Sequence, residues 1–571
     1  MNFNGIAGFI WSVADLLRGD YKQSDYGKIV LPFTLLRRLD CVLEATKPAV
    51  LAEHQARKHL KMPLDQFLIR KSGQSFYNIS ELDFPKLLAD PANIKANLIA
   101  YIGSFSENAR DIFERYDFTV QIEKLDSANL LYQVVQKFAS VNLHPDVVDN
   151  HKMGLIFEEL IRRFAELSNE TAGEHYTPRD VIRLMVSLLF MLDVDVLATP
   201  GVVRSLYDPT GGTGGMLSIA DEYVTEMNPE ARLVLFGQEL NPESFAICKA
   251  DMLIKGQDVR NIIFGNTLTE DGHPDKQFDY MLANPPFGVE WKKVQKAVAA
   301  EHTRKGFAGR FGPGLPRVSD GSLLFLMHLC SKMRPTEEGG SRIGIVLNGS
   351  PLFTGNAGSG ESEIRKWIIE NDWLETIVAL PTDMFYNTGI STYIWIVTNH
   401  KKPARRGKVQ LINGGEFYQK MRKSLGSKRK ELGPEDIQRI TALYQDFAET
   451  KESRIFANAD FGYATITVER PQRDEQGKIV RDSKKRPKAD TSLRDTENVP
   501  LTEEIQPYFE REVLPHVPDA WIDKDKTKIG YELPFNRYFY EYTPPRPLEE
   551  IDDELQSLGR EIMELLTEVV A

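Results

Sequence analysis

The stretch VVRSLYDPTGGTGGML, residues 202–217, changes character twice within a few residues. Apolar and β-branched residues up to Tyr207 predict a buried strand, Pro209 with Gly211, Gly212, Gly214 and Gly215 predicts a sharp turn, and Met216 opens a helical pattern. Glycines at such a turn remove side chains where a ligand can approach main-chain N–H groups at a helix N-terminus. The Gly-Lys-Ser/Thr signature of a phosphate loop is absent. Strand, glycine turn and helix together are the first unit of an α/β domain.

Further strand candidates follow at 231–240 (ARLVLFGQEL), 278–286 (FDYMLANPP), 341–349 (SRIGIVLNG), 374–381 (LETIVALP) and 392–399 (TYIWIVTN), with helical segments such as 242–256 and 322–333 between them. Alternation of this kind predicts a Rossmann-like, doubly wound, mainly parallel sheet, whose ligands bind at the carboxyl ends of the strands. Residues 1–165 read as a helical N-terminal domain: Pro32 suits a first helical turn, and Leu35, Leu36, Leu39, Val42 and Leu43 share one face. MGLIFEELIRRFAEL (153–167) repeats the pattern. The expected organisation is a helical domain (1–165), an α/β domain (166–400), an appended α/β region with basic stretches (401–545) and a C-terminal helical extension (546–571). In that last segment Ile551, Leu555, Leu558, Ile562, Leu565 and Val569 recur at steps of three and four, an a/d seam suited either to its own domain or to a partner helix.

A formal net charge of -12 excludes a protein that grips nucleic acid over its whole surface, so any such contact is local or supplied by a partner. Basic density is local: residues 401–430 hold eleven Lys or Arg against Glu416 alone. Residues 470–488 hold eight against three acids and read as a solvated face. Cys41, Cys248 and Cys330 are far apart, which supports neither a metal site nor a disulfide framework and fits a reducing cytoplasm. The N-terminal segment, interrupted by Asp15 and Arg18, reads as an amphipathic helix rather than a signal peptide, and no apolar run suits a membrane span.

Candidate site residues stand at strand ends. Glu239, at the end of the second strand, can accept both hydroxyls of a ribose. Asn266, after the third, can pair with an adenine edge or simply form a turn. A glycine loop plus acid fits NAD or S-adenosyl-L-methionine, and the fourth strand end decides between them: Asn284, Pro285, Pro286 and Phe287 have no use in a dehydrogenase. An exocyclic amine conjugated with a ring is a poor nucleophile. Acceptors aimed at its hydrogens, the Asn284 side-chain carbonyl and the Pro285 main-chain carbonyl, favour a nitrogen whose lone pair points at a methyl sulfonium. The prolines preset both carbonyls and Phe287 offers a stacking face, so the target base must leave its duplex.

These motifs resemble the amino-methylating DNA methyltransferases, with NPPF of the adenine-N6 kind and DPTGGTGG (208–215) as their glycine loop. The resemblance implies that Asp208, Thr210, Gly211, Gly212, Thr213 and Gly214 hold the methionine end of S-adenosyl-L-methionine. It also implies that Glu174, His175, Tyr176, Thr177, Pro178 and Arg179 line the cofactor pocket; here Thr177 reads as N-cap, Pro178 as N1 and Asp180 as N3 of a helix. LPFTLLRRLD (31–40), SDGSLLFLMHL (319–329), LPTDMFYNTGISTYIWIV (380–397) and the segment 512–551 are similar to the modification subunit of type I restriction-modification systems. That family implies double-stranded DNA as substrate and a separate specificity subunit with two modification subunits. A restriction subunit can join, and the 551–569 seam contacts the specificity subunit. Asn266 departs from the acid that many relatives carry there. Cytosine-C5 chemistry is excluded because no cysteine follows a proline at a strand end. N4-cytosine or glutamine-side-chain methylation, and a non-catalytic cofactor-binding scaffold, stay open.

Overall fold

The computed structural model describes residues 8, 12–60, 62–167, 177–386, 388–425, 427–483, 485–540 and 547–570. They fall into two compact units, Met1–Leu533 and Pro534–Ala571.

In the first unit the strand β1 (Val203–Asp208) begins an α/β core continued by β2 (Arg232–Glu239), β3 (Ile262–Phe264), β4 (Tyr280–Ala283), β5 (Arg342–Asn348), β6 (Leu374–Ala379), β7 (Thr392–Thr398) and β8 (Lys408–Asn413). A separate hairpin, β9 (Gln419–Leu425) and β10 (Lys428–Glu431), precedes β11 (Ser453–Ala457). Nine strands make one sheet in the order β11-β8-β6-β7-β5-β4-β1-β2-β3. From β3 to β5 the neighbours are parallel, and β7 lies antiparallel between β5 and β6. Every residue of β4 to β7 is buried, as expected of strands covered on both faces. The chain runs from β1 outward to β2 and β3, then returns to place β4 on the other side of β1. That reversal of direction opens a crevice at the carboxyl ends of β1 and β4. Three further strands, β12 (Gly462–Glu469), β13 (Asp495–Pro500) and β14 (Trp521–Tyr531), form their own antiparallel sheet.

Helices occupy the chain before the sheet, as the periodicity predicts, from Gly27–Leu43 to Asn150–Leu167. The aromatic ring of Phe33 packs edge-on against Phe118 (4.9 Å) and stacks on Phe138 (5.3 Å), joining three helices. Pro32 is not in a first turn: the helix starts at Gly27, and burial of Ile29, Val30, Leu31 and Phe33 on all sides of the proline offsets the lost hydrogen bond. Of the leading amphipathic helix, residues 1–7 and 9–11 lie outside the described residues; beyond them Val13, Ala14 and Leu17 are buried while Asp15 and Arg18 pair at 2.9 Å on the exposed side. Lys249, on the helix after β2, pairs with Asp111 of the helical region at 2.6 Å, and Arg115 lies 4.1 Å from the Phe264 ring centroid at the end of β3. The helical region is thus braced against the half of the sheet that carries the glycine loop.

The sheet continues past residue 400. β8 and β11 extend its edge, and the helix Pro434–Asp446 packs on it through a buried polar network. Arg342 of β5 pairs with Glu375 of β6 at 2.7 Å, and the Tyr444 hydroxyl bonds both. Burial, the largest influence, pushes the Glu375 carboxyl up, but the charges of Arg342 and Arg405 with the hydrogen bonds from Arg342 and Tyr444 together hold it below the ordinary carboxylate range. In the second unit the helix Leu548–Val570 carries the predicted seam. None of the described helices is long and apolar enough to cross a membrane.

The Arg342–Glu375–Tyr444 network predicts that Glu375→Ala costs about 3–5 kcal/mol in unfolding free energy, because it strands a buried guanidinium. Urea denaturation checks this; a loss below about 1 kcal/mol would mean that the charge is not buried and paired.

Candidate active site

A cavity of about 710 Å³ opens where β1, β2, β3 and β4 end. Its wall takes Asp208 to Thr213 from the glycine turn, Glu239 to Pro242 after β2, Gly265 to Leu268 after β3, and Asn284 and Pro286 after β4. Val289, Glu290, Trp291, Lys293 and Val294 add to it, as does Thr177. The volume is that of a site for a drug-sized ligand.

Two carboxylates meet on the cofactor side. Glu239 accepts the Gly212 N–H on Oε2 (2.8 Å) and the Asn241 N–H on Oε1 (2.6 Å), so the backbone fixes its orientation while each oxygen keeps a further lone pair. Asp208 accepts from the Thr210 N–H (2.9 Å) and hydroxyl (3.2 Å). Burial pushes its carboxyl up to about 7 against those two hydrogen bonds, and the negative charge of Glu239 adds to the rise. The glycine turn is tied to β2 by the Gly211 N–H on Gln238 O (2.9 Å). Gly214 does not line the cavity. It has φ +87°, and a Cβ there would meet Cys248 Sγ at 3.0 Å, so this glycine serves close packing of the next helix rather than ligand approach.

Asn284 is held from the side of the sheet. Its Nδ2 donates to Thr177 Oγ1 at 2.9 Å, while its Oδ1 is buried and accepts from no group among the described residues. A buried acceptor without a donor is costly, and at the edge of a cavity it is a place where a ligand or water N–H or O–H group can bond. Thr177 is not the N-cap that its spacing predicts. The helix runs Arg179–Phe190 with Pro178 at the cap position and no side-chain cap bond, because the Thr177 hydroxyl is committed to Asn284. Asp180 likewise leaves the helix end for the β10 strand, bonding Lys428 Nζ (2.9 Å) and the Leu432 N–H (2.9 Å). Pro285 is buried and Pro286 exposed on the rim. Phe287 is partly buried and makes a T-shaped contact with Phe385 (5.3 Å, 89°); it stands beside the cavity wall rather than in it.

Of the remaining candidates, Pro178 and Arg179 lie off the cavity wall, and Glu174, His175 and Tyr176 are outside the described residues. Asn266 does line the cavity; its Oδ1 accepts the Leu268 N–H (3.0 Å) in the local turn, which orients the side chain and leaves its amide N–H groups for a ligand. A support behind this turn was not legible in the sequence. Arg310 donates to Thr267 O (2.6 Å) and Leu268 O (3.0 Å) while a bidentate pair with Glu301 (2.7 Å and 3.1 Å) holds the guanidinium. His328, fully buried, accepts from Arg310 on Nδ1 (3.3 Å), so its Nε2–H donates to the Tyr207 hydroxyl (3.1 Å). Burial, then the charge of Arg310, push His328 down to about 3, which keeps the imidazole neutral. These residues are too far apart in sequence for any spacing to link them.

A family model for N-6 DNA methylases matches residues 148–464, and a model for the HsdM N-terminal domain matches residues 6–138. The chain is 26% identical over 473 residues to the type I restriction enzyme MjaIX methylase subunit of Methanocaldococcus jannaschii, covering 80% of each chain. It is 30% identical over 304 residues to the EcoEI methylase subunit of Escherichia coli, covering 51% of this chain and 55% of that one. Its fold is similar to the type I restriction-modification methyltransferase subunit from Streptococcus thermophilus (TM-score 0.63, 23% identity, 81% of this chain and 97% of that one). Because the methylase model spans more than half of the 571 residues, over the same strand ends that build the cavity, the chain belongs to the N-6 DNA methylase family, as a methylase subunit of the type I restriction-modification kind.

Proposed function

We propose that this cavity binds S-adenosyl-L-methionine beside an adenine flipped out of double-stranded DNA, and that Asn284 and Pro285 activate the adenine N6 amine for methylation. The observation that carries this reading is the buried Oδ1 of Asn284, without a donor among the described residues, on a side chain that lines the cavity at the end of β4 and is pinned by Thr177. The cofactor, when bound, supplies an electrophilic methyl group on a sulfonium.

The chain's own residues do the rest. Glu239 keeps a lone pair on each oxygen for the two ribose hydroxyls. Asp208 and the turn Thr210–Thr213 face the cationic methionine end, and Asn266 presents its amide toward the adenine ring of the cofactor. Asn284 Oδ1 and the Pro285 carbonyl each accept one N–H of the substrate amine, favouring a lone pair directed at the methyl carbon. As the nitrogen–carbon bond forms and the carbon–sulfur bond breaks, positive charge on the nitrogen is met by both carbonyls until its proton passes to water. The two prolines fix φ near -65°, so this pair of acceptors is set before the base arrives. Phe287, steadied by Phe385, stacks on the base.

Sequence choice falls to a separate specificity subunit, with two methylase chains to each, and a restriction subunit able to join. Support for the docking helix comes from Leu548–Val570, where Leu555 (62% exposed), Leu558 (47%) and Ile562 (56%) lie uncovered along the seam.

Three outcomes follow. Asn284→Ala should lower kcat by about 100- to 1000-fold while cofactor affinity stays within about twofold, measured with labelled cofactor and nucleoside analysis; unchanged turnover would remove Asn284 from the chemistry. Cofactor binding should tighten as pH rises from about 6 to 7.5. In that window Asp208, whose carboxyl sits at about 7, acquires the charge that attracts a cationic ligand. Asp208→Asn should flatten the profile by calorimetry, and a slope that survives this change would point to another group. Deleting residues 551–571 should prevent co-elution with the specificity subunit and leave cofactor affinity intact, whereas a stable complex on gel filtration would count against the seam.

A further inference from the structure

The segment that follows NPPF carries a feature the methyl-transfer reading does not use. Lys292, Lys293, Lys296, Arg304 and Lys305 are all exposed along the short turn Lys292–Val294 and the helix Gln295–Lys305, and Lys293 itself lines the cavity. Immediately beyond them Phe307 is 74% exposed, the most exposed phenylalanine among the described residues. Leaving so large an apolar ring in water forgoes the stabilisation that burial would bring.

The ring is not out because its loop is loose. On the C-terminal side Arg310 bonds two carbonyls of the cavity wall and Glu301 of the preceding helix, Phe311 is fully buried, and its carbonyl meets His302 Nδ1 at 2.6 Å. A Cβ at Gly312 would fall 2.5 Å from Phe307 Cα and 2.6 Å from Gly306 O, so glycine lets the two arms of the loop close on each other behind Phe307. The loop is braced on both sides of a ring that points away from the protein, three residues from the arginine that contacts the cavity wall.

We propose that Phe307 is a wedge that enters the base stack of the DNA and fills the space left by the flipped adenine, while the five cations of 292–305 hold the flanking phosphates. The inference rests on the methylase reading above and adds to it the surface that opens the duplex. Charge complementarity selects the partner: in a chain of net charge -12, a run of exposed cations leading from the cavity to an apolar tip matches a polyanion with a stacked interior.

The test uses the full methylase–specificity complex and two duplexes that share one recognition site, one with the target adenine paired to thymine and one with it opposite an abasic position. Phe307→Ala should reduce kcat/KM on the paired duplex by about tenfold or more, and the loss should shrink to within about twofold on the abasic duplex, where no pair has to be broken. Cofactor affinity should not change, and Phe307→Trp should retain activity on both. An equal loss on the two duplexes, or no loss, overturns the wedge. A loss that follows weaker assembly of the complex, with normal turnover per assembled complex, overturns it in favour of a protein interface. If the wild-type complex methylates neither duplex, the methylase reading fails first and the wedge with it.

Discussion

The parallel pairing of β1 with β4, Leu206 opposite Tyr280 and Tyr207 opposite Met281, is the constraint from which the site follows. It brings Asp208 and Asn284, far apart in sequence, to adjacent strand ends. The pairing is reinforced at its start by side chains: Asp279 Oδ2 accepts the Ser205 N–H (2.8 Å) and hydroxyl (2.6 Å), and the Ser205 hydroxyl accepts the Asp279 N–H (2.9 Å). Because the connections after β1 and β4 lead to opposite sides of the sheet, the cavity forms between their ends.

Within that gap the polar groups are set before any ligand arrives. Glu239 is oriented by two backbone N–H groups, the turn after β3 is held by Arg310, and Asn284 is held by Thr177. Each support comes from a different part of the chain, so the site depends on the sheet, the helix before it and the loop after β4 at once. Preorganisation of this kind lowers the barrier because the groups need not reorient during reaction.

Charge density along the chain marks charged surface only in part: Lys402, Arg406, Lys408, Lys420, Arg422 and Arg429 are exposed, but three of their neighbours are not. In the basic stretch 401–430, Lys401, Arg405 and Lys428 are buried and structural: Lys401 pairs with Asp372, Arg405 bonds Gln410 and the Tyr444 carbonyl, and Lys428 pairs with Asp180. The exposed cations nearest the cavity stand instead at 292–305, where five Lys or Arg in fourteen residues match the density of 401–430. Part of the 470–488 insert is also tied down, with Arg470 and Arg473 both on Asp519. Ion pairs between residues distant in sequence decide which charges face water, and a count along the chain does not register them.

What the sequence determined by itself is local in origin. Runs of Val, Ile and Leu ending in glycine or proline placed six strands and the turns that follow them, and the residue types at those turns, Asp208, Glu239 and Asn284, carry chemistry that only a few ligands can use. What the tertiary structure alone decided is non-local. The antiparallel insertion of β7, the extension of the sheet by β8 and β11, and the commitment of Thr177 to Asn284 instead of a helix cap all depend on contacts between segments tens to hundreds of residues apart. Neighbouring residues encode a strand or a turn through sterics and burial periodicity. Which strand lies beside which, and which hydroxyl meets which amide, is settled only when the core closes and each buried polar group must find its partner.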